Sequence, residues 1–270
     1  MGWRNCMEPI EVFNQNFKNA EALLSLDNLL LDKNNGRDSE EFQEIVCQHF
    51  SIPDDEETIV ILNEMLHALV REGANLRRPF FTEKNLNLLL RQAVVATCSA
   101  MDVYFNDILK DNIMKIFQNK GRYSPKKLLK IEMTLDEYLS IKSYADPEGR
   151  LKEIVLSKFD KITLGNVNGI TETIEEYLGI TEYWKRVSER LDKRQQVIKN
   201  DIDAIVKRRN DIIHRGDRKK NITEIDPSIQ EMNYDWAYSH IHSVKSLVLA
   251  TDAILRDEMR EIMIIEEGIN

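Results

Sequence analysis

Apolar positions recur every three or four residues along most of this 270-residue chain, a period that predicts helices joined by few connections. Between residues 9 and 31 they are Ile10, Phe13, Phe17, Leu23, Leu24, Leu26, Leu29 and Leu30, ended by Asn34-Asn35-Gly36. A short second helix is expected from Ser39 to about Phe50. A third follows Pro53, capped by Asp54 or Asp55, with Ile59, Leu62, Leu66, Leu69 and Val70 on one face and Gly73 at its end. Thr82-Glu83-Lys84-Asn85 opens a long helix predicted to reach about Gln118. Its apolar positions, among them Leu90, Val94, Cys98, Met101, Tyr104, Phe105 and Leu109, cover most of its circumference, so it is expected at the centre of the fold. Asp102 interrupts that run.

Gly121 and Pro125 end the long helix, and shorter ones are expected over 126–180, broken at Asp146-Pro147 and at Gly165-Asn166-Val167-Asn168-Gly169. Thr134-Leu135-Asp136-Glu137 reads as a helix N-cap with acids in the first turn. Trp184 begins another helix as a packing anchor. Two strong helices follow, one from about Arg194 to Arg215 and one from Asp226-Pro227-Ser228 to about Met263. Strand signals are nearly absent, so the predicted fold is all-α. Residues 1–80 read as an N-terminal helical region of unknown role, ahead of a helical domain over 81–270.

Composition narrows the class. Glycine (10) and proline (6) are scarce, and 42% hydrophobic with 31% charged residues suits a globular chain. No apolar run approaches the roughly 20 residues that span a bilayer. Met1 to Glu8 lacks the basic start and apolar core of a signal peptide, and Cys6 stands where a myristoylation signal needs Ser or Thr. Cys6, Cys47 and Cys98 are odd in number and far apart, which suggests reduced thiols, with Cys98 in the core. A cytoplasmic protein without membrane partners is expected.

The formal net charge of −9 argues against general nucleic-acid coating, but charge is unevenly spread. From Lys185 to Lys220 there are thirteen basic and six acidic residues, a local excess of seven positive charges. That segment is the one suited to a phosphate backbone, although a solvated helix face would have the same composition.

Candidate chemistry lies at the end of this basic helix. Ile198, Ile202, Ile205, Val206, Ile212 and Ile213 form an apolar stripe, and Arg209 occupies the position where the period asks for an aliphatic residue. A guanidinium there needs an anion, from a carboxylate or from a ligand phosphate. Asn210 and His214 are four residues apart and share a face. Together they supply what RNA cleavage by 2′-hydroxyl attack requires. An imidazole moves the proton, an arginine steadies charge on phosphorus and an amide orients either group. No metal or cofactor is called for, since the nucleophile belongs to the substrate. The same residues also make an ordinary helix C-terminus, with His214 and Arg215 against the dipole and Gly216 beyond.

The stretch from Val206 to Arg218, which contains Arg208-Arg209-Asn210-Asp211-Ile212-Ile213-His214-Arg215-Gly216-Asp217-Arg218, resembles the signature of the RiboL-PSP-HEPN group. Upstream, Leu90-Arg91-Gln92-Ala93 through Ala100-Met101-Asp102-Val103-Tyr104 is similar to that group's first core helix. The likeness spans about residues 82–260. Met101 departs from the usual leucine and Gly216 from a frequent alanine; neither touches the chemistry. The resemblance implies a HEPN-like bundle with Arg209 and His214 catalytic, Asn210 supporting, and Asp102 facing them to pair with Arg209 or orient His214. Lys207, Arg208, Arg215 and Arg218 are the expected RNA contacts. It further implies a homodimer with a composite active site, a role as a toxin or effector in bacterial antiviral defence, and an antitoxin or defence-complex partner.

Other constellations are weaker. His240 and His242 are two residues apart on a helix, His49 and His67 lack ligand partners at useful spacing, and Asp54-Asp55-Glu56-Glu57 reads as helix-start acids. The competing function is a non-catalytic HEPN module binding RNA, a nucleotide or a partner protein. A helical scaffold or antitoxin-like protein is the third reading.

Overall fold

A computed structural model of the chain describes residues 7–30, 59–62, 67–70, 83–159, 165–218 and 229–267. Helix α1 (Pro9–Leu30) packs along α2 (Glu83–Lys120), a 38-residue helix that also meets α7 (Gln195–Arg215) and α8 (Tyr234–Glu267). Between α2 and α7 lie short 3₁₀ turns at Gly121–Tyr123 and Leu128–Lys130, then α3 (Leu135–Ser143), α4 (Pro147–Ser157), α5 (Val167–Thr171), a π-helical continuation Glu172–Tyr177, and α6 (Tyr183–Leu191). The architecture is an all-α bundle around α2.

The residues of α2 explain its central place. Leu90, Ala93, Val94, Met101, Tyr104, Phe105 and Leu109 are buried on several sides of it. Among the described residues α2 is the one helix long and apolar enough to cross a membrane by composition, and half of that apolar window is buried within the protein. From α1, Phe13 and Phe17 stack on each other at 5.3 Å, and Phe13 meets the Tyr104 ring edge-on at 5.9 Å. Tyr183 and Trp184 anchor α6: the Tyr183 hydroxyl lies 2.7 Å from Thr251 Oγ1 on α8, and Trp184 Nε1 donates to Thr171 Oγ1. Capping follows the sequence signals. Thr134 and Glu137 form a reciprocal capping box at α3, and Asp146 accepts from Gly149 at α4.

Two segments depart from expectation. Residues 59–62 and 67–70 do not carry the predicted third helix. Ile59–Leu62 (β1) and His67–Val70 (β2) pair as antiparallel strands, with Ile59 opposite Val70 and Leu62 opposite His67. The run Ile59-Val60-Ile61 is β-branched throughout, which favours extended backbone over helix. Helix α8 begins at Tyr234 rather than near Asp226, because Asn233 provides its cap: its Oδ1 accepts the Trp236 N–H at 2.8 Å. The helix expected over 39–50, the caps at Asp54 or Asp55, Asn34-Asn35-Gly36 and the Asp226-Pro227-Ser228 start lie outside the described residues, as do Cys6, Cys47 and His49.

Candidate active site

Helix α7 places the candidate residues. Ile198, Ile202 and Ile205 are buried against the bundle and hold the helix in register. Toward its C-terminus the buried face rotates: Asp211 is buried, whereas Ile213, expected on the apolar stripe, is half exposed. Of the two arginines, Arg208 lies deeper, its side chain 14% exposed against 26% for Arg209. Arg209 therefore sits at the edge of the packed face, over α2.

There it meets Asp102. Arg209 Nη2 donates to Asp102 Oδ2 at 3.2 Å, and Nη1 donates to Asn210 Oδ1 at 3.0 Å. Its Nε is buried and makes no hydrogen bond among the described residues. Burial pushes the Asp102 carboxyl above the usual carboxylate range, while the guanidinium and the backbone N–H of Gly165 pull it back. Just beneath, the Cys98 thiol is pushed up to about 12, by burial first, with Arg209 opposing and Asp102 assisting. That thiol packs as a small apolar group and is not a nucleophile.

His214 is exposed in the last turn of α7 and makes no hydrogen bond among the described residues. Gly216 ends the helix at φ 59°, and Asp217 follows at φ 62°, so two consecutive left-handed residues turn the chain away just past the imidazole. The structure thus joins Asp102, Arg209 and Asn210 directly and leaves His214 on the surface, one helical turn beyond Asn210.

A second polar cluster, not anticipated from sequence, lies on the other side of Arg209. Asp217, only 1% exposed, receives Arg91 Nε at 2.6 Å and Arg208 Nη2 at 2.9 Å on the same Oδ2. Both arginines also donate to the Gln230 carbonyl at 3.0 Å, and Gln230 N–H returns to the Asp217 carbonyl at 2.8 Å. This cluster ties α2, α7 and the approach to α8 together. Arg208, expected to contact RNA, is thereby committed within the protein, and it also lies over the Trp236 ring at 5.8 Å. Of the other expected RNA contacts, Lys207 and Arg218 are exposed, and Arg215 is half exposed with Asp211 at 3.9 Å.

His240 and His242 each hydrogen-bond the carbonyl four residues back, Trp236 and Tyr238, and do not converge. No group of three His, Cys, Asp or Glu side chains is placed to hold a metal among the described residues. Two surface hollows of about 380 and 500 Å³ lie around Lys127 and Phe159, and neither is lined by Arg209 or His214. The candidate site is an exposed helix end rather than a pocket.

A family model described as RiboL-PSP-HEPN matches residues 56–257, a span that takes in both Asp102 and the run from Arg208 to Arg218. No curated protein and no solved structure matches the chain. The chain belongs to the RiboL-PSP-HEPN family.

Proposed function

We propose, with membership of that family as the premise, that the protein is a metal-independent endoribonuclease cutting RNA by attack of the substrate's own 2′-hydroxyl. The observation that carries this reading is the grouping of Arg209, Asn210 and Asp102 one helical turn from an exposed imidazole at His214. His214 takes the 2′-hydroxyl proton, a bond forms from O2′ to phosphorus, and the bond to O5′ breaks as that oxygen takes up a proton. Arg209 faces the charge gathering on the non-bridging oxygens, using guanidinium donors beyond the two already engaged. The products are a 2′,3′-cyclic phosphate and a 5′-hydroxyl. Because no water need be activated as nucleophile, this route asks for no metal.

Two copies facing each other across this helix end would enclose the phosphate that one exposed surface does not, so a homodimer with a composite site is part of the proposal. So is a role as a toxin or defence effector restrained by an antitoxin-like partner. The alternative, a non-catalytic binding module, is favoured by one feature: Asp102 already occupies the Arg209 guanidinium, and His214 is bonded to nothing among the described residues.

Purified protein incubated with RNA in EDTA decides between them. Cleavage is expected, with His214→Ala and Arg209→Ala each lowering the rate by on the order of 100-fold or more. Intact tRNA, rRNA and mRNA after incubation with wild type, together with equal growth of cells expressing wild type and His214→Ala, would support the binding module instead.

A further inference from the structure

Gly165 lies 63 positions from Asp102 in sequence and directly against it in space. A Cβ built on Gly165 would stand 1.7 Å from Asp102 Oδ1 and 2.7 Å from Cγ. The obstacle is therefore the carboxylate itself, and no side chain fits at position 165 while Asp102 keeps its place. Nor is the glycine there for a left-handed turn, since it is not among the positive-φ glycines of the described residues. The carboxyl that fills this space is the one Arg209 grips, and the Gly165 backbone N–H beside it favours its charged form. The next residue, Asn166, caps α5, its Oδ1 accepting from Gly169 N–H at 2.8 Å, so Gly165 leads directly into a capped helix start.

We infer that Gly165 is a positioning residue of the candidate active site: its missing side chain leaves a cradle that aims the Asp102 carboxylate at Arg209. The chain of contacts runs from Gly165 to Asp102, to Arg209 and on to Asn210. Without the cradle, Asp102 swings off the guanidinium and Arg209 loses the anchor that sets its reach toward a phosphate. This rests on the ribonuclease reading above for its functional consequence, but its geometry stands apart from it.

The test is a double-mutant cycle of wild type, Gly165→Ala, Asp102→Ala and the double variant, read by cleavage kinetics and by melting temperature. Gly165→Ala is expected to lower kcat by on the order of 100-fold, the effect of an ångström-scale misplacement, with KM for RNA changed by less than about threefold. In the Asp102→Ala background the added methyl meets no carboxylate, so the double variant should match Asp102→Ala in both kcat and melting temperature. Wild-type kcat in Gly165→Ala would overturn the inference. So would a further loss in the double variant, which would mean a backbone fault unconnected with Asp102. If Gly165→Ala does not fold, the double variant must fold and behave as Asp102→Ala; failure of both to fold also overturns it. Should wild type leave every RNA intact, the ribonuclease reading fails and takes the functional claim with it. The melting temperatures then still decide whether the cradle exists.

Discussion

Asp102 has burial working against its charge and Arg209 working for it, so removing the guanidinium tips the balance further. In Arg209→Ala the Asp102 carboxyl should titrate at higher pH than in wild type, which a ¹³C carboxylate titration reads directly; a lower midpoint would mean the guanidinium is not its main counter-ion. The stability sign follows. A carboxyl raised on folding binds protons more readily in the folded state. Its stabilisation is therefore present at acid pH and lost as pH rises from about 3.8 through the raised value. Asp107 and Asp252, also raised chiefly by burial, act with the same sign. Urea unfolding of Asp102→Asn between pH 3.5 and 7 should accordingly show a shallower decline than wild type. At Asp217 the stake is packing of charge. Asp217→Ala strands Arg91 and Arg208 in a largely buried setting, and a loss of about 3–5 kcal/mol is expected by chemical denaturation. A loss under about 1 kcal/mol would show that water reaches those guanidinium groups. Asp102 and Arg209 stood out in sequence because each interrupts an apolar stripe. Arg91 and Asp217 did not, since an arginine beside a leucine on a helix and an aspartate after a glycine are unremarkable until a tertiary contact joins them. Gly165 read as a helix break for the same reason: what it makes room for lies on another element.

Helix α7 ends where it does because Gly216 takes a left-handed conformation, and a Cβ there would meet no atom within 4 Å. Gly216→Ala thus isolates backbone strain from crowding, and a destabilisation of about 1 kcal/mol is expected by thermal melting. Since the strain falls two residues past His214, cleavage should fall with it while the Asp102–Arg209 pair, about two turns back, is untouched. Unchanged stability in Gly216→Ala would show that the turn can relax without glycine. Helices of this length were legible because their apolar period repeats over many turns: α2 and α7 lie within two residues of the predicted limits. Short elements give the period too little room. Ile59, Leu62, Leu66, Leu69 and Val70 satisfy a helical spacing, yet residues 59–62 and 67–70 pair as strands, because the four β-branched or aliphatic residues of 59–62 suit either period and the backbone preference then decides.

At the scale of the whole molecule, α1 poses the sharpest question. The family match begins at residue 56, so α1 falls outside it, yet Phe13, Phe17, Ala20 and Leu24 are buried in the same core as Tyr104 and Phe105 of α2. Polar contacts reinforce the union: Glu21 pairs with Lys245 at 2.6 Å and Glu8 with Arg256 at 3.3 Å, both on α8. Those ion pairs are exposed enough to matter little. The aromatic burial matters a great deal, since Phe17 is 1% exposed and covered on one face by Phe13 and on another by Lys245 Nζ at 5.1 Å from its ring centroid. Phe17→Ala is expected to cost about 3–5 kcal/mol, a large share of the stability of an ordinary domain. A chain beginning at residue 31 loses all four side chains at once and uncovers Tyr104 and Phe105, so it should fail to melt cooperatively. Because Tyr104 and Phe105 sit within three residues of Asp102, loosening this core also loosens the carboxylate that holds Arg209. The shortened chain should therefore lose cleavage even where some of it remains helical by circular dichroism. A cooperative melt of residues 31–270 within a few degrees of the full chain would show instead that α2, α7 and α8 close a core of their own.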